Sequence, residues 1–240
     1  MTYETEHEAR CDLAAAHRMA VMDGLNEGTW NHFSLMSPVE PEQMLISPGD
    51  THWSMVKASN LTLMGPQAEV ISGPEPNGAA WIIHYPVHRA RPDAKCVMHS
   101  HSPYATALGM RKANKLDTQS NQAAALFHGD IAYFDVYDGI LREADEGERM
   151  AEALGDKRVL MLRNHGVLTA APTVAQAYMD LYLIERACMF QLLATKDDGE
   201  LNQIPTEVAE KIGAAGRQGR DGHFQGMKQV IEAREPDYKR

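Results

Sequence analysis

The chain has 240 residues, enough for one substantial domain with a real core, and 44% of them are hydrophobic, ordinary for a globular protein. A formal net charge of −10, from 33 acids against 23 bases, argues against a nucleic-acid or anionic-membrane partner, since both require a basic surface. The three scattered cysteines, Cys11, Cys96 and Cys188, suggest no disulfide framework and fit a reducing cytoplasm; the opening MTYETEHEARCDLAAAH lacks the apolar core of a signal peptide, and no apolar run reaches the length of a membrane span.

Taken in chain order, residues 5–25 read as a helix, with Leu13, Ala16, Met19, Ala20 and Met22 near helical spacing and Gly24 to end it. TWNHFSLM, residues 29–36, reads as a strand with Trp30 and Phe33 as packing residues. A short strand over 44–47 runs into the Pro48-Gly49 turn, and two more over 60–64 and 68–72 flank Gly65-Pro66 as a hairpin. SGPEPNG (72–78) is a loop by composition, and residues 79–90 read as a helix with Trp81, His84 and Val87 along one side. AKCVMHSH then reads as a buried strand, with Pro103 opening a helix over 103–112. A strand over 130–137 and a helix over 145–154 precede a second buried strand, KRVLMLRNHG (157–166), which runs into a turn. The clearest helix follows: Thr173 as its cap, Gln176 completing a capping-box pattern, and Val174, Ala177, Tyr178, Leu181, Ile184 and Cys188 as an apolar stripe. Residues 196–240 read as a C-terminal helical extension of a single domain spanning 1–240, with a charged, mobile end. Strands and helices alternate without a strict β-α-β rhythm, which predicts a three-layer α/β domain on a mixed or antiparallel sheet.

Within KCVMHSHSPYATAL, His99 and His101 stand two residues apart at a strand end, where side chains of that spacing share a face. Imidazole is a strong ligand for zinc, manganese, iron or cobalt, but two ligands do not make a site. Of the 11 histidines, His165 in RNHG has the same setting, a buried apolar strand followed by a turn, and Gly166 lets the backbone bend sharply after it. Three histidines from two strand ends leave coordination positions open for a substrate or water, as in a catalytic rather than a closed structural site. The alternative is that these histidines cap strand ends and bond backbone carbonyls. His84 and His88, one helical turn apart at a spacing that can bind metal, read as structural residues rather than a second metal pair, and His52 and Trp53 as pocket or core residues. Cys96 shares its alternation with Met98, off the histidine face, and reads as packing.

HRARPDAKCVMHSHSPYATAL, followed some sixty residues later by LMLRNHGVLT, resembles the class II aldolase/adducin family. GTWNHFSLM, LISPGD and PTVAQAYMDLYLIERAC fall in the order that family shows, so the resemblance covers roughly residues 8–195. It implies an α/β/α fold around a mostly antiparallel sheet, a fourfold homotetramer with active sites between subunits, and one divalent metal (Zn, Mn, Fe or Co) on His99, His101 and His165. Two departures stand out. The acid/base glutamate of the sugar-phosphate aldolases, four residues before the histidine matching His84, is Ala80 here. Glu75 of GPEPNG is the nearest carboxylate and a candidate substitute, with a plain solvated loop acid as the alternative; His128 of LFHGDIAYFDVY is a second acid/base candidate, where the family often has a tyrosine reaching the neighbouring site. The family's phosphate-holding Ser-Ser pair and Gly-Asn turn are replaced by NGAAW and GTWN; Asn31 and Ser47 remain as candidate substrate-binding residues, and no glycine-rich phosphate loop is visible.

These features point to a metal-dependent carbon–carbon lyase, an aldolase or decarboxylase working through a stabilised enediolate on a small, non-phosphorylated carbonyl or hydroxy-acid substrate. A non-catalytic assembly module of the adducin-head kind, and a metal-dependent oxygenase on the same scaffold, are the alternatives.

Overall fold

In the computed structural model, residues 3–113, 115–137, 139, 144–196, 199–219 and 221–240 are described. Helix α1 (Glu6–Met22) starts at a capping box: the Thr5 hydroxyl accepts from the Glu8 amide and the Glu8 carboxylate accepts from the Thr5 amide. Then come β1 (His32–Met36), β2 (Met44–Ile46), β3 (Thr62–Met64), β4 (Val70–Ser72), α2 (Gly78–Ala90), β5 (Cys96–Ser100), α3 (Pro103–Gly109), α4 (Gln122–Ala125), β6 (Ile131–Phe134) and α5 (Ala144–Leu154). β7 (Val159–Leu162), β8 (Gly166–Ala171), α6 (Val174–Ala194), α7 (Thr206–Gly216) and α8 (Gly222–Arg234) complete the chain. No helix among the described residues is long and apolar enough to cross a membrane.

The strands form one eight-stranded sheet in the order β4-β3-β2-β1-β5-β8-β7-β6, antiparallel throughout except for the β6/β7 pair. Strand alternation divides the core between its two faces. Cys96 and Met98 of β5 join Val159, Met161 and Val167 under α1, α6 and α8, while Val97 joins Leu160, Leu162 and Leu168 under α2 and α5. This is the three-layer α/β/α arrangement that the alternation of elements predicted.

Several details differ from expectation. The first strand begins at His32, not at 29; Phe33 is buried as predicted, but Trp30 is 69% exposed. The apolar run 157–166 is not one strand entering a turn but β7, a turn and a separate strand, β8. β8 is buried on both faces, so its GVLTAA carries no period-two signal. The short α4 also went unpredicted. The charged end is not loose: Tyr238 is fully buried against α1, and the Ser59 amide donates to the Arg240 carbonyl. Arg18, only 3% exposed, bonds Glu235 at 3.0 Å and Asp237 at 2.9 Å.

Helix α2 contains Pro86, which has no amide to give the Ile82 carbonyl. Gly147 of α5 packs there; a Cβ at 147 would overlap the Ile82 carbonyl oxygen. Missing side chain and missing hydrogen bond thus meet at one close helix crossing, which sets α2 beside the centre of the sheet.

Candidate metal centre

Register decides which histidines meet. In β5, His99 lies opposite His32 of β1 on one side and Leu168 of β8 on the other, and Ser100 pairs with Val167. The β7–β8 turn carrying His165 therefore sits beside the end of β5, just where His101 leaves the strand. The Nε2 atoms of His99 and His101 lie 3.2 Å apart, and the His165 ring centroid is 4.7 Å from each of theirs. One nitrogen from each ring lies within 4.8 Å of the others, close enough to share one ion.

The turn achieves this differently from the sequence expectation. Its left-handed residue is Asn164 (φ 56°), a conformation asparagine tolerates. Gly166 is needed for space rather than for bending: a Cβ there would overlap the Ser100 carbonyl oxygen and press on His101 at 3.2 Å.

The hydrogen bonds around the rings assign their protons. His99 Nδ1 lies 3.1 Å from the Val167 carbonyl oxygen, which only accepts, so Nδ1 carries the hydrogen. His101 Nδ1 lies 2.6 Å from a Glu27 carboxylate oxygen and donates likewise. With both rings neutral, the two Nε2 atoms present lone pairs to each other across 3.2 Å, an arrangement that repels unless a cation lies between them. Burial, with His165 next, pushes the His99 pKa well below the usual histidine range, and burial followed by His101 lowers that of His165 to about 4. His99 and His165 are therefore neutral at pH 7, the state in which imidazole binds metal. The donor set, neutral nitrogen with a carboxylate and a carbonyl fixing the far side of two rings, suits a borderline transition metal such as zinc.

A cavity of about 330 Å³ opens in front of the three rings. Ala79 and Ile83, four residues apart on α2, form an apolar wall, while Trp30 and Tyr137, 69% and 51% exposed, stand at the rim. His32 and Asn77 are the remaining polar side chains of the wall, which among the described residues carries no lysine, arginine or carboxylate.

Behind His32 runs a buried polar chain. His32 Nδ1 is 2.7 Å from His84 Nε2, His84 Nδ1 is 2.5 Å from Ser34 Oγ, Ser34 Oγ is 2.8 Å from His88 Nε2, and His88 Nδ1 is 2.7 Å from the Ala94 carbonyl. Burial lowers the pKa of His32 to about 3, that of His88 to about 4 and that of His84 far below the usual range.

Other residues singled out from the sequence lie outside this wall. Asn31 is buried with Oδ1 accepting from the Glu27 amide at 2.6 Å, so it shapes the loop that presents Glu27. Ser47 is also buried, holding His17 Nε2 at 2.6 Å and the Phe33 amide at 2.7 Å. Glu75 is exposed in its loop, where its carbonyl accepts from Gly49. His128 is half-buried, with Nδ1 2.9 Å from Thr118 Oγ1. Trp53 packs in the core beside His17 and Phe33, whereas His52 only caps a short 3₁₀ turn. Ala80 faces Met44, Ile46 and Met64 rather than the cavity, so a carboxylate at that position would point into the core. Reasoning on sequence missed Glu27 and His32. Glu27 is a loop acid with no motif of its own, and His32 acquires its place only through pairing with β5.

The model for the class II aldolase and adducin N-terminal domain matches residues 11–192. A putative aldolase class 2 protein from Caulobacter vibrioides is 35% identical over 193 residues, covering 80% of this chain and 74% of its own. The decarboxylase NovR from Streptomyces niveus is 31% identical over 230 residues, covering 88% and 80%. Mouse alpha-adducin is 35% identical over 188 residues, but those are 76% of this chain and only 25% of the adducin. Among solved structures, an aldolase II superfamily protein from Pseudomonas syringae superposes with a TM-score of 0.91 at 31% identity, covering 99% of this chain and 97% of that one. An L-fuculose 1-phosphate aldolase from Glaciozyma antarctica PI12 gives 0.87 at 26%, covering 100% and 96%. With the matched segment running from α1 through α6 and containing all three histidines, the chain belongs to the class II aldolase/adducin family.

Proposed function

We propose that this protein is a divalent-metal-dependent carbon–carbon lyase, an aldolase or decarboxylase, acting on a small non-phosphorylated carbonyl or hydroxy-acid substrate. The observation that carries this reading is the facing Nε2 atoms of His99 and His101, 3.2 Å apart beside His165, which together make a ready three-nitrogen ligand set at the floor of a cavity. Bound there, a divalent metal supplies a Lewis acid that draws electron density from the substrate's carbonyl or carboxylate and stabilises the enediolate left when a carbon–carbon bond breaks. The chain's own residues do the rest. Val167 and Glu27 orient two of the rings, Ala79 and Ile83 exclude water from one side, and Trp30 and Tyr137 suit a flat or apolar substituent. A wall without lysine or arginine among its described residues favours a substrate lacking phosphate. The names of two relatives, a decarboxylase and an L-fuculose 1-phosphate aldolase, support the lyase class. The reading includes a homotetramer in which a second copy covers the aromatic rim; the acid/base group is Glu75 of the same chain, standing in for the glutamate missing at Ala80, or His128 reaching the cavity of a neighbouring copy. Sedimentation of the purified protein measures that assembly.

The likeness to alpha-adducin favours one alternative, a non-catalytic assembly module. Elemental analysis and a turnover screen separate the two readings. The lyase carries close to one transition metal per chain, and His99→Ala removes metal and activity together. Tight metal without turnover on any hydroxy-carbonyl or hydroxy-acid substrate favours the assembly module, and oxygen uptake with ferrous iron would instead indicate an oxygenase.

A further inference from the structure

The polar chain behind the cavity has a direction, and it starts from the end farthest from the metal ligands. The Ala94 carbonyl can only accept, so His88 Nδ1 donates to it. A neutral His88 then has a lone pair on Nε2, and the only hydrogen available to it is that of the Ser34 hydroxyl. With its hydrogen committed, Ser34 Oγ must accept from His84 Nδ1. His84 Nε2 is left as a lone pair, and His32 Nδ1 must donate to it. His32 is thereby held as the Nδ1–H tautomer, with an unprotonated Nε2. That nitrogen has no hydrogen-bond partner among the described residues, yet His32 is 2% exposed and lines the cavity beside the three-histidine set.

We propose that His32 is a substrate-binding residue whose Nε2 accepts a hydrogen bond from a hydroxyl group of the substrate, and that Ser34, His84 and His88 are positioning residues that fix its tautomer. A site built this way selects ligands that carry a hydroxyl hydrogen next to the group on the metal. An isostere lacking that hydrogen leaves a buried lone pair facing an acceptor. The ligand class deepens the lyase reading and rests on it, whereas the tautomer does not.

The tautomer is tested on metal-free protein labelled with ¹⁵N-histidine, by long-range ¹H–¹⁵N correlations. His32, His84 and His88 should all carry hydrogen on Nδ1 and not on Nε2; an Nε2–H signal from His32 overturns the proposal whether or not the protein proves to be a lyase. Ser34→Ala removes the relay's only hydroxyl and should leave His32 in a mixture of tautomers, while Ser34→Thr restores the single form. Ligand choice is read with glycolate and fluoroacetate titrated into zinc-loaded protein. Ser34→Ala should cut the preference for glycolate about tenfold, since the fluorine fills the hydroxyl's place without a hydrogen. An unchanged preference, or no measurable glycolate binding, refutes the acceptor role. His32→Asn should keep its zinc in competition with a chelator; loss of zinc would make His32 a fourth metal ligand and overturn the assignment.

Discussion

At the scale of single residues, the candidate centre depends on which atoms are already committed. Glu27 touches the cavity only through His101, holding Nδ1 at 2.6 Å so that Nε2 points inward. Glu27→Gln keeps an acceptor but removes the charge that strengthens the ring as a ligand. Chelator competition should show zinc affinity falling by about tenfold or more, with the thermal midpoint little changed. His17 lies outside the cavity, fully buried between the Leu13 carbonyl and Ser47, and burial lowers its pKa to about 4. His88 is depressed to the same value. For both, the folded protein binds a proton less readily than the unfolded chain, whose histidines titrate near 6.5. The stability they contribute is complete above about pH 6.5 and is lost as pH falls towards 4. Urea midpoints should be flat from pH 7 to 8 and fall below 6.5, before most carboxylates protonate; a flat curve down to pH 5 would contradict this. The three clustered histidines were readable as residues, because His99, His101 and His165 are chemically distinctive and sit at strand ends. Glu27 was not, because a lone acid in a loop has no local signature, and its role follows from a contact across 74 positions.

At the scale of elements, the segment just after His101 is held from a distance. Helix α3 begins two residues later, and its N-cap Ser102 makes no side-chain capping bond. Instead Glu185 of α6, 5% exposed, accepts from the Tyr104 and Ala105 amides at 2.9 and 2.8 Å. A carboxylate at a helix N-terminus satisfies two open amides and opposes the positive end of the helix dipole. Glu185→Ala strands two amide donors, that of Ala105 buried, which should cost about 2 kcal/mol. It should also weaken metal binding by loosening the segment that carries His101, to be checked by denaturation and zinc titration on the same sample. The amphipathic stripe and Thr173 cap of α6 were plain in the sequence, and the Thr173 hydroxyl accepts from the Gln176 amide as anticipated. β8 was not, since a strand buried on both faces alternates nothing. Assigning the bend to Gly166 rather than Asn164 reflects a limit of composition: glycine signals either a positive φ or a close approach, and only the Ser100 carbonyl beside it says which.

At the scale of the whole molecule, the C-terminal segment closes the far side of α1. Arg18 is held by Glu235 and Asp237, and its Nε donates to the Val56 carbonyl at 3.0 Å. Tyr238 fills the gap beside it. Removing residues 235–240 deletes one fully buried aromatic side chain and leaves Arg18 without its carboxylates. The truncated chain should be less stable by about 3 kcal/mol, measurable as a lowered urea midpoint, with the candidate centre retaining its zinc. Charged termini suggest mobility because solvated side chains gain little from ordering; here a buried guanidinium requires carboxylate partners, and the end of the chain supplies them.

By itself the sequence determined the layer architecture, through its alternating periods, and the three histidines, through ligand chemistry and strand-end setting. Tertiary structure alone decided what surrounds them. Pairing of β5 with β1 and β8 placed His32 and His165 beside His99, and packing turned Ala80 into the core while bringing Glu27 behind His101. Periodicity is a local property of neighbouring residues and can be read along the chain. A site assembled from contacts between residues 27, 32, 99, 101 and 165 depends on register and side-chain direction, which exist only once the sheet has formed.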